Sequence, residues 1–130
     1  MARNGLLIDT DTLIDYLKGI APARALLDSE QFSFYYSSWT QKELLAKPGL
    51  SARERRQIEE LLARYRLAPV DDAVADKYWV LLKKYESMGL RQADAIIAAT
   101  AWQLSLPLLT RNQKHFRMIE EIELAPAYRD

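Results

Sequence analysis

At 130 residues, 49% of them hydrophobic and 28% charged, with Gly and Pro sparse, the chain reads as one globular domain over residues 1–130, not a disordered or collagenous segment. Lys plus Arg and Asp plus Glu each total 18, so no global basic field draws a polyanion and any such attraction has to be local. The absence of Cys excludes disulfides and thiolate metal sites, and the lone His excludes a multi-histidine zinc site.

In chain order, LLID from Leu6 reads as a short buried strand, an apolar run too brief for a helix. Asp9 interrupts the opening apolar stretch too early for a secretory signal. Thr12 to Leu17 predicts a helix ending near Gly19, and a short helix spans Ala23 to Leu27. FSFYYSS, aromatic and partly alternating, makes a second strand; SSWTQKELLAKPG is a helix stopped by Pro48 and Gly49. Ser51 followed by Glu54 has capping-box spacing and opens a helix with Ile58, Leu61, Leu62 and Tyr65 on one face. LAPV, Leu67 to Val70, is the third strand, with Asp71 or Asp72 capping a long helix whose apolar face includes Val74, Tyr78, Leu81, Leu82 and Tyr85.

Gly89 closes that helix, and Gln92 to Leu104, apolar on nearly every side and rich in Ala, belongs deep in the fold. LPLLT is a fourth strand with a short helix after Asn112, and IEL near the end is a fifth strand. Helices alternating with short apolar strands argue for a central parallel sheet covered on both faces, a three-layer α/β/α fold. Apolar runs such as AIIAA fall far short of the roughly 20 residues that span a bilayer, so a soluble cytoplasmic protein with no membrane partner is expected.

LLIDTDTLIDYL gathers Asp9, Asp11 and Asp15 behind the first strand. In open parallel sheets, ligands settle outside the carboxyl ends of the strands. Asp9, Glu43, Asp94 and the segment Thr110 to Asn112 can all open onto that edge. Carboxylates brought together there repel unless a divalent cation neutralises them, and oxygen donors favour Mg²⁺ or Mn²⁺ over zinc. Each acid also has a purely structural reading. Asp9 can cap the following helix, Thr40 and Glu43 have capping-box spacing, and Asp94 suits a helix's first turn. Asp11 and Asp15 share a helix face; Asp15, within reach of Lys18, is assigned to solvent.

IDTDTLID, the acid in SSWTQKELL, ADAIIAATA and LLTRNQKHF, in that order and spacing, resemble the PIN-domain family, specifically its VapC-type toxins. The resemblance covers almost the whole chain, and ADAIIAATA is its most specific segment. It implies a three-layer fold, divalent-metal-dependent endoribonuclease activity, a homodimer and a cognate antitoxin that occupies the site. Asp9, Glu43 and Asp94 match the family's acidic residues, and Thr110 matches a hydroxyl near the metal. The family commonly has Asp or Glu immediately before the Phe of the last motif, where this chain has His115, so the fourth acidic position is unassigned. Asn112 is compatible with the motif and also reads as a helix N-cap.

With Asp9 and Asp94 gripping the ion and Glu43 joining directly or through water, Asp11 or Glu43 is left to orient the attacking water. Arg91, Arg111, Lys114 and Arg117 form a basic rim for RNA phosphates, or simply solvated helix ends, while His115 is either a phosphate or proton-transfer group or an ordinary surface residue. The ARERR run reads as an exposed helix face, and Trp39, Trp79 and Trp102 read as packing residues in preference to base-stacking ones. The helices around Leu44 to Leu62 offer an apolar groove for an amphipathic antitoxin segment. Two alternatives stand beside the nuclease. One is an aspartyl-nucleophile phosphatase, although Thr12 follows Asp11 immediately where that family's Thr comes one place later. The other is a PIN-like module that binds RNA or an antitoxin with weak catalysis or none.

Overall fold

The computed structural model describes residues 4–128. Its sheet has four parallel strands in the order β3-β2-β1-β4: β1 (Asn4–Ile8), β2 (Phe32–Ser37), β3 (Arg66–Ala68) and β4 (Leu108–Leu109). Because β1 pairs with β2 on one side and β4 on the other, its carboxyl end lies at the middle of the sheet's edge. Side chains on a strand alternate between faces. Leu6 and Ile8 accordingly join a core with Leu13, Leu27, Leu61 and Leu109, beneath α1 (Thr10–Leu17), α2 (Ala21–Leu27) and α4 (Ala52–Leu62). Leu7 points the other way, into a core with Leu81, Ile97, Leu108 and Phe116 under α5 (Asp72–Tyr85) and α6 (Gln92–Leu104). The expected three-layer arrangement around a parallel sheet is present.

Local chemistry accounts for the element ends. Asp71, not Asp72, caps α5 by accepting from Val74 N–H, and Ser51 with Glu54 completes the expected capping box at α4. The helix that follows β2, α3 (Ser38–Leu45), is capped by Ser37, which accepts from Trp39 N–H, so the Thr40–Glu43 capping box does not form and Glu43 is released from that role. After α5, a turn of 3₁₀ helix ends at Gly89, whose φ of 95° is the left-handed conformation that suits glycine.

Three strand expectations are corrected. The third strand begins at Arg66 and stops at Ala68, because Pro69 has no N–H to offer the ladder. The fourth shrinks to Leu108–Leu109 behind Pro107. The fifth is a single bridge, Leu108 to Leu124, ended by Pro126 two residues on. Trp39 and Trp102 pack against the core, whereas Trp79 stands 64% exposed beside Tyr78, since it falls on the solvent side of α5. The ARERR run is the exposed face expected, with an Arg55–Glu59 pair at 3.1 Å.

Replacing the cap serine, Ser51→Ala, should cost about 1 kcal/mol in urea unfolding, since it leaves the Glu54 N–H without its acceptor. An unchanged midpoint would show that the cap contributes nothing.

Candidate functional site

The first acid sits where β1 ends. Asp9 leaves the strand in extended conformation and caps α1; one carboxylate oxygen accepts from Thr10 N–H at 2.8 Å and the other from the Thr110 hydroxyl at 2.8 Å. Capping and site placement are therefore not alternatives for this residue. Thr110, fully buried at the end of β4, has one hydroxyl proton and gives it to Asp9, while its oxygen accepts from Asn112 N–H at 3.0 Å. The Asn112 side chain makes no N-cap bond; its amide donates to Asp11.

Glu43 reaches the same neighbourhood by a route that sequence reasoning missed. The Thr10 hydroxyl donates to Glu43 Oε1 at 2.9 Å, and Thr40 lies 2.9 Å from the same Thr10 oxygen. Since Thr10 has a single proton, committed to Glu43, Thr40 is the donor in the second bond. The available signal was the pair of β-hydroxyl residues beside the two acids, which is too common a pattern to have singled out.

Asp94 is in the first turn of α6 and receives Arg91 at 3.3 Å. His115 ends a 3₁₀ turn with Nδ1 3.8 Å from Asp94 and 3.2 Å from an Arg91 nitrogen. Of the residues expected at a basic rim, Arg91 is thus engaged by Asp94, Lys114 and Arg117 are exposed, and Arg111 is paired at 3.0 Å with Asp15. Asp15 is a correction. Instead of facing solvent beside Lys18 it is 3% exposed, and it accepts from Arg111 and from the Tyr128 hydroxyl, partners too far along the chain for helical spacing to reveal.

Burial comes first in setting the electrostatics of Asp9. The carboxyl is 6% exposed, and loss of water raises its pKa from 3.8 to about 7; the Thr110 bond opposes the rise, the charges of Asp11 and Asp94 add to it, and Thr10 N–H opposes it. Its two donors are a hydroxyl and an amide, both neutral. Asp9 therefore lies in the field of Asp11 and Asp94. Among the described residues, however, no three carboxylate or imidazole side chains are drawn close enough to enclose an ion, because each acid turns to its own local donor. The chemistry of the set still suits a hard divalent cation. Its donors are carboxylate oxygens, and positive charge near Asp9 would relieve both the desolvation and the repulsion.

Comparison with known proteins places the chain in a family. A family model described as PIN domain matches residues 6–121. Ribonuclease VapC10 of Mycobacterium tuberculosis is 33% identical over 122 residues, spanning 91% of this chain and 90% of that protein. A chain of the toxin–antitoxin complex from Klebsiella pneumoniae superposes with a TM-score of 0.76 at 27% identity, covering 90% of this chain and 94% of that one. A chain of VapBC2 from Rickettsia felis, crystallised with a DNA fragment from its promoter, superposes at 0.84 with 20% identity, covering 96% and 99%, and this shows likeness of fold.

Because Asp9 titrates at about 7 when folded and near 3.8 otherwise, the native state holds more protons between those values. Its contribution therefore lowers stability as pH climbs through that window and levels off above it. In divalent-free thermal melts, Asp9→Asn should flatten this slope and raise the midpoint at neutral pH. A slope that survives the substitution would mean that another group causes it.

Proposed function

The chain belongs to the PIN-domain family, and on that premise we propose that it is a divalent-metal-dependent endoribonuclease, the cytoplasmic toxin of a toxin–antitoxin pair. The observation that carries the reading is Asp9: a carboxyl buried at the sheet's central edge, held by neutral donors, in the field of Asp11 and Asp94. Ribonuclease VapC10, with its 33% identity over most of both chains, supports the choice of RNA. Family membership also leaves the phosphatase alternative without support.

Asp9, Asp94 and Glu43 are the residues that would hold Mg²⁺ or Mn²⁺. A bound ion would supply Lewis acidity, offsetting negative charge on the phosphoryl group and making water easier to deprotonate. The chain's own contribution is alignment. Thr110 and Thr10 N–H fix both oxygens of Asp9, Thr10 steers Glu43, and Asn112 steers Asp11, which leaves Asp11 and Glu43 as the carboxylates able to orient water for in-line attack. Arg91, Arg111 and Lys114 bind the RNA backbone phosphates, a contribution without base preference that fades with salt.

Partners follow from the surface. The groove expected between the helices is present, about 540 Å³, lined by Ile14, Leu17, Leu44, Leu50 and Ile58 and bordered by Lys18, Glu43 and Lys47. An amphipathic antitoxin helix fits that pattern of apolar floor and charged margin, and likeness to a chain of the Klebsiella pneumoniae toxin–antitoxin complex supports it. A homodimer belongs to the same proposal, on the strength of the family resemblance and not of a surface feature. A second reading, a PIN-like module that binds RNA or antitoxin with little turnover, draws on His115, which stands beside Asp94 where the family commonly has an acid.

Asp94→Asn should keep the far-ultraviolet circular dichroism of the parent and reduce Mn²⁺-dependent RNA cleavage to the level seen without added metal; full activity in that variant would sink the ligand assignment. RNA binding without cutting across a Mn²⁺ titration of the unaltered chain would favour the module instead. Leu17→Glu should abolish co-purification with the antitoxin encoded beside it while sparing cleavage, and a complex that survives would place the antitoxin elsewhere.

A further inference from the structure

Residues 110–112 follow β4, and these three consecutive side chains each donate to a different carboxylate of the Asp9–Asp15 stretch. Thr110 gives its proton to Asp9 at 2.8 Å, Arg111 gives Nη1 to Asp15 at 3.0 Å, and Asn112 gives its amide to Asp11. Two recipients belong to the acidic edge. The third, Asp15, lies about one helical turn beyond Asp11 and is buried. It also receives the Tyr128 hydroxyl at 2.5 Å. The C-terminal segment that carries Tyr128 is itself tied down, with Ala125 N–H donating to Leu108 at 2.9 Å and Gln113 donating to the Ala125 carbonyl at 2.9 Å.

Net stability is a poor explanation for this cluster. Asp15 is buried while the Arg111 side chain stays 42% exposed, so the acid gives up hydration for a partner still shared with water, and the role left to the pair is the geometry it imposes. Geometry is what the 110–112 segment lacks. Its strand ends after two residues at Leu109, and its own local bond is the one from Asn112 N–H to the Thr110 oxygen at 3.0 Å. Thr110 is fully buried, but the half-buried Asn112 amide, on irregular backbone, has orientations open to it besides the one that meets Asp11. A charged bond on the residue between them removes that freedom.

We infer that Asp15, steadied by Tyr128, is a positioning residue of the site: it anchors Arg111 so that Thr110 and Asn112 are held against Asp9 and Asp11. The inference rests on the reading that this edge takes a divalent cation. It assigns Arg111 an anchoring duty in addition to phosphate contact. It also makes the C-terminal tyrosine part of the apparatus that aligns the N-terminal acids, although neither Asp15 nor Tyr128 touches the reacting atoms.

Two substitutions in the full chain test it: Asp15→Asn, which removes the charge with little change of shape, and Tyr128→Phe, which removes one donor and keeps the ring. Two readouts apply. One is the dissociation constant for Mn²⁺ by calorimetry, expected to rise roughly tenfold, the scale found when groups that orient metal ligands are altered. The other is the Asn112 side-chain amide pair in metal-free ¹⁵N spectra, expected to move toward the positions of a free amide. Combining Asp15→Asn with Asn112→Ala should weaken Mn²⁺ binding by less than the sum of the two separate losses, because part of the Asp15 effect passes through Asn112, whereas a merely structural Asp15 would give additive losses. Should Asp15→Asn fail to fold, Tyr128→Phe decides. An unmoved Asn112 amide with an unchanged Mn²⁺ constant would overturn the anchor. A parent chain that binds no Mn²⁺ would overturn the metal reading, and the Asn112 resonance would still decide the anchor by itself.

Discussion

A carboxylate shut away from water at the end of the central strand is the constraint around which this molecule is arranged. Ionised groups resist burial unless hydrogen bonds or opposite charge compensate them. Asp9 is compensated only in part, by one amide and one hydroxyl. The strand order explains why the burden falls on this residue. With β1 flanked by β2 and β4, the end of β1 is surrounded on both sides, while an acid at the edge strand β3 would keep its water. A site whose protein atoms leave negative charge poorly balanced is a site that gains from a cation.

The same constraint orders the neighbours. Thr10, Thr110 and Asn112 are short, neutral donors, and each is directed at a carboxylate by the backbone that carries it. A lysine or arginine on Asp9 would satisfy it permanently and compete with any incoming ion. Of the positive side chains, Arg111 stands one step away on Asp15, whereas Arg91 lies on Asp94, where an incoming ion would have to displace it. Glu43 is free to take part because Ser37 has taken over the capping of α3.

Much of this was legible from residue order, for definable reasons. Periodicity and capping chemistry are local, so the helices, the Ser51–Glu54 box and the burial of the Ala-rich helix at Gln92–Leu104 could be read directly. Asp9 and Glu43 follow the ends of β1 and β2 and could be grouped on the geometry of a parallel sheet, whereas Asp94 follows a helix and was grouped with them through the ADAIIAATA resemblance. Asp15 was misread because its partners Arg111 and Tyr128 are 96 and 113 residues away, and nothing within a helical turn announces them. The strand lengths were overestimated for a simpler reason. Apolar spelling continued through Pro69 and Pro107, but the hydrogen-bond ladder could not. Trp79 departs the other way, since a bulky aromatic in a helical pattern suggests packing although this position faces outward.

The pairing of β1 with β4 joins Ile8 to Leu109 across nearly the whole chain. Contacts of such long range form slowly, and during synthesis they cannot form until the distal strand has left the ribosome. A nascent chain that has displayed its first hundred residues presents Asp9 without Thr110, and Asp11 without Asn112. The donors that fix these two carboxylates are therefore among the last parts of the edge to be made, and alignment of Asp9 and Asp11 is a late event of folding.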